Sequence, residues 1–331
     1  RVTSKLKINH PFLESLRRKG NPGLILFTTG TTGKPKAILH DFVPFISRYK
    51  TPRPPLKSIS FLLFDHIGGI NTLFHMLFNL GQIVSIKKRT VEEVTSSIRK
   101  FAVELLPTTP TFLRMLSLYP GIEKKLGESL KIISYGTERM DQPTLDRLCK
   151  QFPNIDFRQT FGMSELGIVR VKSEARDSLF MKVGGEGVET RVVDGVLQIR
   201  SSSRMLGYLN APSPFDAEGW YDTKDVVEVK DGYYKVTGRI SDVINVGGLK
   251  FMASEVERVA LQFPNVSLVK ATPKSNPITG QHVELLVQPT NKDGIDKIAL
   301  LELLKNRLQP HMVPKRIRIE EVAVGHRFKR A

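Results

Sequence analysis

The chain has 331 residues, 40% of them hydrophobic and 25% charged, with 50 Lys and Arg against 33 Asp and Glu and a formal net charge of +17. That length buries a substantial core and predicts two domains or more, while the one cysteine, Cys149, excludes an intrachain disulfide and a cysteine-built zinc site. No apolar run approaches the ~20 residues of a membrane span and no signal-peptide pattern is present, so the expectation is a protein of a reducing, cytoplasmic compartment. The basic balance invites a nucleic-acid reading, but Lys and Arg are scattered, with small concentrations at Arg17–Lys19, Lys87–Arg89, Lys315–Arg318 and Arg327–Arg330. None of these is an aromatic-interleaved single-strand platform or a zinc finger, and a basic protein equally handles anionic small molecules.

In chain order, Pro11–Arg18 predicts a short helix, and Leu24–Phe27 a buried strand. The strand delivers Thr28-Thr29-Gly30-Thr31-Thr32-Gly33-Lys34-Pro35-Lys36, a run of hydroxyls, glycines and lysines suited to cradling polyanionic oxygens. It is not a Walker A loop, because Thr28 stands where that motif needs glycine and Pro35 where it needs Ser or Thr. Ala37–Tyr49 has an apolar rhythm compatible with a helix. A proline-rich loop at Thr51–Leu56 leads to a strand at Ser60–Phe64 ending in Asp65-His66-Ile67-Gly68-Gly69, then to a helix over Ile70–Leu80. Ile83–Ile86 reads as a strand, and Thr90 with Glu93 is a capping box for the next helix. A buried strand at Leu130–Ser134 ends at Tyr135-Gly136-Thr137-Glu138, and Asp141 caps the helix beyond. These alternations predict a layered α/β core.

Ile155–Glu165 then brings Phe161, Gly162, Met163, Ser164 and Glu165 to the end of a strand. A ring can lie against a base, a hydroxyl can meet a phosphate, and a carboxylate suits Mg²⁺, which prefers hard oxygen ligands. Val183–Arg200 predicts antiparallel strands turning at Asp194-Gly195, and Val226–Val236 a second hairpin turning at Asp231-Gly232. Between them stands Gly219-Trp220-Tyr221-Asp222-Thr223-Lys224-Asp225. After Gly238-Arg239 the pattern predicts a helix opened by Ser254–Glu257, strands at Val266–Ala271 and His282–Gln288, a helix over Ile295–Leu308 and a last strand at Arg316–Ile319.

The order of these landmarks resembles the adenylate-forming enzymes: acyl- and aryl-CoA synthetases, adenylation domains of nonribosomal peptide synthetases, and luciferases. The resemblance implies that Thr28 to Lys34 hold the β- and γ-phosphates of ATP and that His66 lies beside the acyl pocket. It implies that Gly136, Thr137 and Glu138 run along adenine and the acyl group, as Phe161 to Ser164 continue the nucleotide site. Glu165 would serve Mg²⁺, Asp225 the ribose hydroxyls, and Arg239 the ribose or phosphate. Ser164 replaces the usual threonine, and Lys224 stands where glycine is common. The implied fold is α/β: a layered large-domain remnant with mixed sheets and a β-rich hairpin region (1–238), a hinge (239–241, with Ser241 at the pivot) and a small C-terminal α+β domain (242–331). The implied reaction is activation of a carboxylic acid by MgATP to acyl-AMP, then transfer to the thiol of CoA, with Gly248 beside the pantetheine channel.

The resemblance leaves alternatives. The acceptor can be a carrier protein, an amine or water, and the chain can be a nucleotide-binding pseudo-enzyme. The family carries a large segment ahead of the phosphate loop that this chain lacks, so a fragment, a shortened form, or a partner chain or self-association covering an exposed apolar surface is expected. In the tail, the family's terminal lysine matches His326 by strict spacing and Lys329 by a short shift. Lysine stays charged at pH 7 whereas histidine is mostly neutral there, so Lys329 is favoured as the catalytic cation.

Overall fold

The computed structural model describes residues 9–29, 34–47, 49–291 and 294–325. Its centre is a five-stranded, all-parallel sheet in the order Gln82–Val84, Lys57–Ile59, Leu105–Thr108, Ile132–Tyr135, Asp156–Gln159. The helices Ile67–Phe78, Val91–Phe101, Pro110–Ser117 and Gln142–Gln151 lie in the crossovers. Buried Val94, Ile98, Phe112, Leu116, Leu145 and Leu148 pack with Ile59, Leu106, Ile133 and Phe157 of the strands. The caps follow the sequence: Thr90 accepts the Glu93 N–H at 3.2 Å and Asp141 accepts the Thr144 N–H at 2.8 Å.

A six-stranded antiparallel sheet follows, in the order Arg170–Ser173, Met181–Gly184, Tyr233–Arg239, Tyr221–Lys230, Val196–Ser201, Val188–Val193. Both expected hairpins form, and Asp194-Gly195 and Asp231-Gly232 have positive φ at both turn residues, the geometry that matches strand twist. A separate three-stranded sheet joins Gly23–Thr29, Pro35–Asp41 and Gly207–Tyr208. Toward the C-terminus, the hairpin Val243–Val246/Leu249–Met252 precedes helix Ala253–Ala260. The sheet of Val266–Asn276, Gly280–Pro289 and Arg316–Ile319 and helix Lys297–Arg307 then share a core of their own around Ile244, Val256, Val269, Leu285 and Leu300.

Three expectations are corrected. Ala37–Asp41 is strand rather than helix, and only Phe42–Ser47 is helical. All five of these residues are buried because the strand lies between two others, and a strand buried on both faces shows no alternation to tell it from a helix. The strand expected at Ser60–Phe64 lies instead at Lys57–Ile59; beyond the bond from Ser60 N–H to the Val84 carbonyl the chain leaves the sheet. There Gly69 sits so close to the Leu63 carbonyl that a Cβ would approach its oxygen to 2.0 Å, which requires glycine. The helix expected to open at Ser254 starts at Ala253. Glu255 accepts the Met252 N–H at 3.0 Å, while the Ser254 hydroxyl donates to the Thr237 carbonyl instead of capping.

One buried cation ties the C-terminal unit to the parallel-sheet layer. Arg114, 3% exposed on helix Pro110–Ser117, donates Nη2–H to the carbonyls of Leu261 (3.2 Å) and Val266 (2.9 Å) and Nε–H to that of Ser267. Nη1 donates to Thr144 Oγ1 at 2.8 Å and lies 3.7 Å from the Asp141 carboxylate. Arg139 and Glu257 add a second ion pair across the same junction at 3.5 Å. Arg114→Met keeps the aliphatic stem and strips the donors from buried carbonyls, at a cost of about 3 kcal/mol. Hydrogen exchange should quicken over residues 253–276 while strand Ile132–Tyr135 keeps its protection; unchanged exchange in both would refute the tether.

Candidate functional site

Eight of the expected site residues line one cavity of about 580 Å³: Gly136, Thr137, Glu138, Phe161, Gly162, Met163, Asp225 and Arg239. The parallel sheet presents the first six at the carboxyl ends of Ile132–Tyr135 and Asp156–Gln159, the edge where open α/β sheets bind ligands. Asp225 and Arg239 come from neighbouring strands of the antiparallel sheet, and Ser254, Glu257 and Lys270 of the C-terminal unit form the remaining wall. Gly136 is fixed by close approach, since a Cβ there would meet Thr160 Oγ1 at 2.2 Å. Glu138 is engaged within the fold, its Oε1 accepting the Thr111 N–H at 2.8 Å.

Asp225 and Arg239 are register partners, which brings Arg239 Nε to 3.1 Å from Asp225 Oδ1. The Asp225 side chain is 8% exposed and that of Arg239 55% exposed, so the acid is buried and the base reaches solvent. Burial pushes the Asp225 carboxyl up from 3.8 to about 6, against the opposing pull of the Arg239 guanidinium. Lys224, the departure from glycine, sits at φ 62, in the left-handed region that glycine enters without strain. Its N–H and ammonium both bond the Asp222 carboxylate, at 2.9 and 2.6 Å, and hold the turn.

Ser164 and Glu165 occupy the turn of the small hairpin Gly162–Met163/Gly167–Ile168, beside the cavity. Three tethers fix that turn to the three-stranded sheet. His40, 1% exposed, donates Nε2–H to the Ser164 carbonyl at 2.7 Å; Met205 N–H donates to the Glu165 carbonyl at 2.8 Å; and Tyr208 OH donates to Glu165 Oε1 at 2.7 Å. Burial and the Glu165 charge raise the Tyr208 pKa, keeping it a donor. Lys36 Nζ lies 5.0 Å from the Tyr208 ring centroid. Asn210 clamps the same strand, accepting the Ala37 N–H at 2.8 Å and donating to the Pro35 carbonyl at 2.9 Å. His40, Tyr208 and Asn210 were absent from the sequence-derived set. Only their contacts, across 124, 43 and about 175 residues, reveal them.

His66 caps helix Ile67–Phe78, accepting the Gly68 N–H on Nδ1 at 3.1 Å, and lines a second, smaller cavity that shares Thr137, Thr160, Phe161 and Gly162 with the first. Thr28 and Lys34 belong to the hairpin of Gly23–Thr29 and Pro35–Asp41 and line neither of these cavities; Thr29 pairs with Pro35 at its mouth. Gly30, Thr31, Thr32, Gly33, His326 and Lys329 lie outside the described residues.

The model of the AMP-binding enzyme family matches residues 4–209, more than half of the chain, and the chain belongs to that family. Among curated relatives, 4-coumarate–CoA ligase-like 6 of Arabidopsis thaliana is 23% identical over 336 residues, covering 91% of this chain and 59% of the relative. The 2-succinylbenzoate–CoA ligase of Staphylococcus epidermidis is 25% identical over 312 residues, covering 88% and 64%. The chain thus spans less than two thirds of the length of these relatives. A solved anthranilate CoA ligase in complex with anthranoyl-AMP has the same fold, with a TM-score of 0.82 at 18% identity over 92% of this chain and 65% of that one.

The raised Asp225 pKa sets a stability expectation. A carboxyl whose folded pKa exceeds its unfolded value costs stability once ionised: nothing below about pH 4, increasingly from 4 to 6, and fully above. From 3.8 to about 6 the full cost is about 3 kcal/mol. Asp225→Asn should therefore gain up to ~3 kcal/mol over the parent at pH 7 and flatten the decline between pH 4 and 6 in urea denaturation. A variant that is less stable than the parent at pH 7 would contradict the burial argument.

Proposed function

We propose that the chain activates a carboxylic acid with MgATP, forming acyl-AMP and releasing pyrophosphate, and then transfers the acyl group to the thiol of CoA. The observation that carries this reading is the single cavity onto which Gly136–Glu138, Phe161–Met163, Asp225 and Arg239 all open. CoA ligases among the relatives support the thiol acceptor, with a carrier-protein thiol or an amine as the second reading for that step.

In the first half-reaction the substrate carboxylate attacks the α-phosphorus of ATP. The acyl–oxygen–phosphorus bond forms as the bond to the β-phosphate oxygen breaks. The Phe161 ring lies against the base, the ionised Asp225 accepts both ribose hydroxyls, and Arg239 meets the ribose or phosphate. Thr28, Thr29, Gly30, Thr31, Thr32, Gly33 and Lys34 hold the β- and γ-phosphates. Mg²⁺, when bound, neutralises phosphate charge; Glu165 is the residue that would hold it, and its Tyr208 bond and fixed backbone pre-orient the carboxylate. Among the described residues no group of three or more His, Cys, Asp or Glu could hold a metal. A single carboxylate, completed by phosphate oxygens and water, is a donor set that suits Mg²⁺. In the second half-reaction the thiol sulfur attacks the acyl carbonyl and AMP leaves.

We further assign 1–238 to the adenylating domain, 239–241 to the hinge and 242–331 to a mobile domain that brings Lys329 to the α-phosphate. ATP affinity by calorimetry should fall about tenfold per pH unit below about 6, as Asp225 protonates and loses acceptor capacity. Lys329→Ala should keep that affinity and lower acid-dependent pyrophosphate exchange ~10²–10³-fold. Absence of ATP binding would sink the nucleotide site; a silent Lys329→Ala would sink the cation assignment.

A partner surface is part of the same proposal. Gly23–Thr29 is a sheet edge, and alternate residues Ile25 and Phe27 are 43% and 57% exposed on it. A further chain segment or a second copy covers this edge. Sedimentation should show self-association of the chain that Phe27→Ser weakens; a monomer that binds no hydrophobic dye would remove the need for a partner.

A further inference from the structure

The smaller cavity beside His66 limits what the acid can be, an inference that rests on the adenylating reading above. Its volume is about 60 Å³, room for about four water-sized groups at ~15 Å³ each. Because Thr137, Thr160, Phe161 and Gly162 line both cavities, a ligand whose nucleotide fills the larger one extends its acyl tail into the smaller.

The walls of this cavity are polar but carry no lysine or arginine among the described residues. Two of its polar side chains, one hydroxyl and one amide, are already engaged within the fold. Thr72 Oγ1 donates to the Gly68 carbonyl at 3.0 Å, and the Asn71 amide oxygen accepts the Tyr49 hydroxyl at 2.8 Å. The hydroxyls of Thr108 and Thr137 are different: both are buried and neither has a hydrogen-bond partner among the described residues. Thr108 is 1% exposed at the end of strand Leu105–Thr108, and Thr137 is held at φ 73 at the junction of the two cavities. Both residues line the cavity, and a turn about χ1 between staggered wells re-aims a threonine hydroxyl without backbone movement.

These observations divide acids by size and by chemistry. A long alkyl or aryl tail exceeds the space. A second carboxylate would be buried with no lysine or arginine among the described wall residues to pair it. A short apolar tail would fit but leave both threonine hydroxyls without partners, whereas a hydroxyl or carbonyl on the tail satisfies them. We propose that this subsite selects a short, neutral hydroxy- or oxo-acid, with up to about four non-hydrogen atoms beyond the carboxyl group.

Non-hydrolysable acyl sulfamoyl adenosines test this by binding alone, without turnover. Calorimetry on the full chain would compare the glycolyl, propanoyl, malonyl, octanoyl and benzoyl analogues with AMP. Glycolyl and propanoyl differ only by hydroxyl against methyl, so the glycolyl analogue should bind at least tenfold tighter. Thr108→Val, which replaces the unpartnered hydroxyl with a methyl, should bring that ratio toward one while melting no lower than the parent. Equal affinity of the glycolyl and propanoyl analogues, or tighter binding of the malonyl, octanoyl or benzoyl analogue, overturns the proposal while AMP binding leaves the nucleotide reading standing. If AMP and all five analogues fail to bind, the adenylating reading falls and this one with it.

Discussion

The strand Pro35–Asp41 is the constraint on which the Glu165 side of the site depends. It is the middle strand of three, its Ile38 and Leu39 are fully buried, and it leaves the hairpin mouth directly. Asn210 fixes its first residues through main-chain bonds, and His40 near its end holds the Ser164 carbonyl. The same sheet carries Tyr208 to Glu165. The hairpin mouth, the Glu165 carboxylate and the Phe161–Gly162 turn therefore cannot shift independently. A site that stabilises charge by fixed dipoles needs that kind of shared frame, because reorganisation during reaction would cancel the benefit.

The Asp225–Arg239 side is built on a different principle. Asp225 and Arg239 meet because two antiparallel strands pair them in register, and the irregularity between Val226 and Val227 lies next to that pair. The acid is enclosed and the base is not, so the pair keeps an acceptor out of water without the enclosure of both charges, which is the costly arrangement. Buried ionisable groups of this type cluster where function needs them.

Much of this was legible in the sequence where chemistry is local. Turn residues such as Asp194-Gly195, caps such as Thr90 and Asp141, and the compact Phe161–Glu165 run announce themselves over a few positions. Ala37–Asp41 was misread because a strand buried on both faces has no alternation, and Ser60–Phe64 because its four consecutive apolar residues look alike in or out of a ladder. His40, Tyr208 and Asn210 were illegible for a further reason: a lone histidine, tyrosine or asparagine gains its role only from a partner far along the chain. The unpartnered hydroxyls of Thr108 and Thr137 belong with them, since lacking a partner is a property of a packed structure and not of a sequence.

Arg114 has a consequence for how this junction can evolve. Its principal acceptors in the C-terminal unit are the main-chain carbonyls of Leu261, Val266 and Ser267, which every amino acid supplies. Substitution of those three side chains leaves the acceptors in place, so the C-terminal unit can drift in sequence without altering its grip. The Arg114 share of the attachment is inherited through one codon on the other side of the junction, and a change there would remove all of those bonds in a single step.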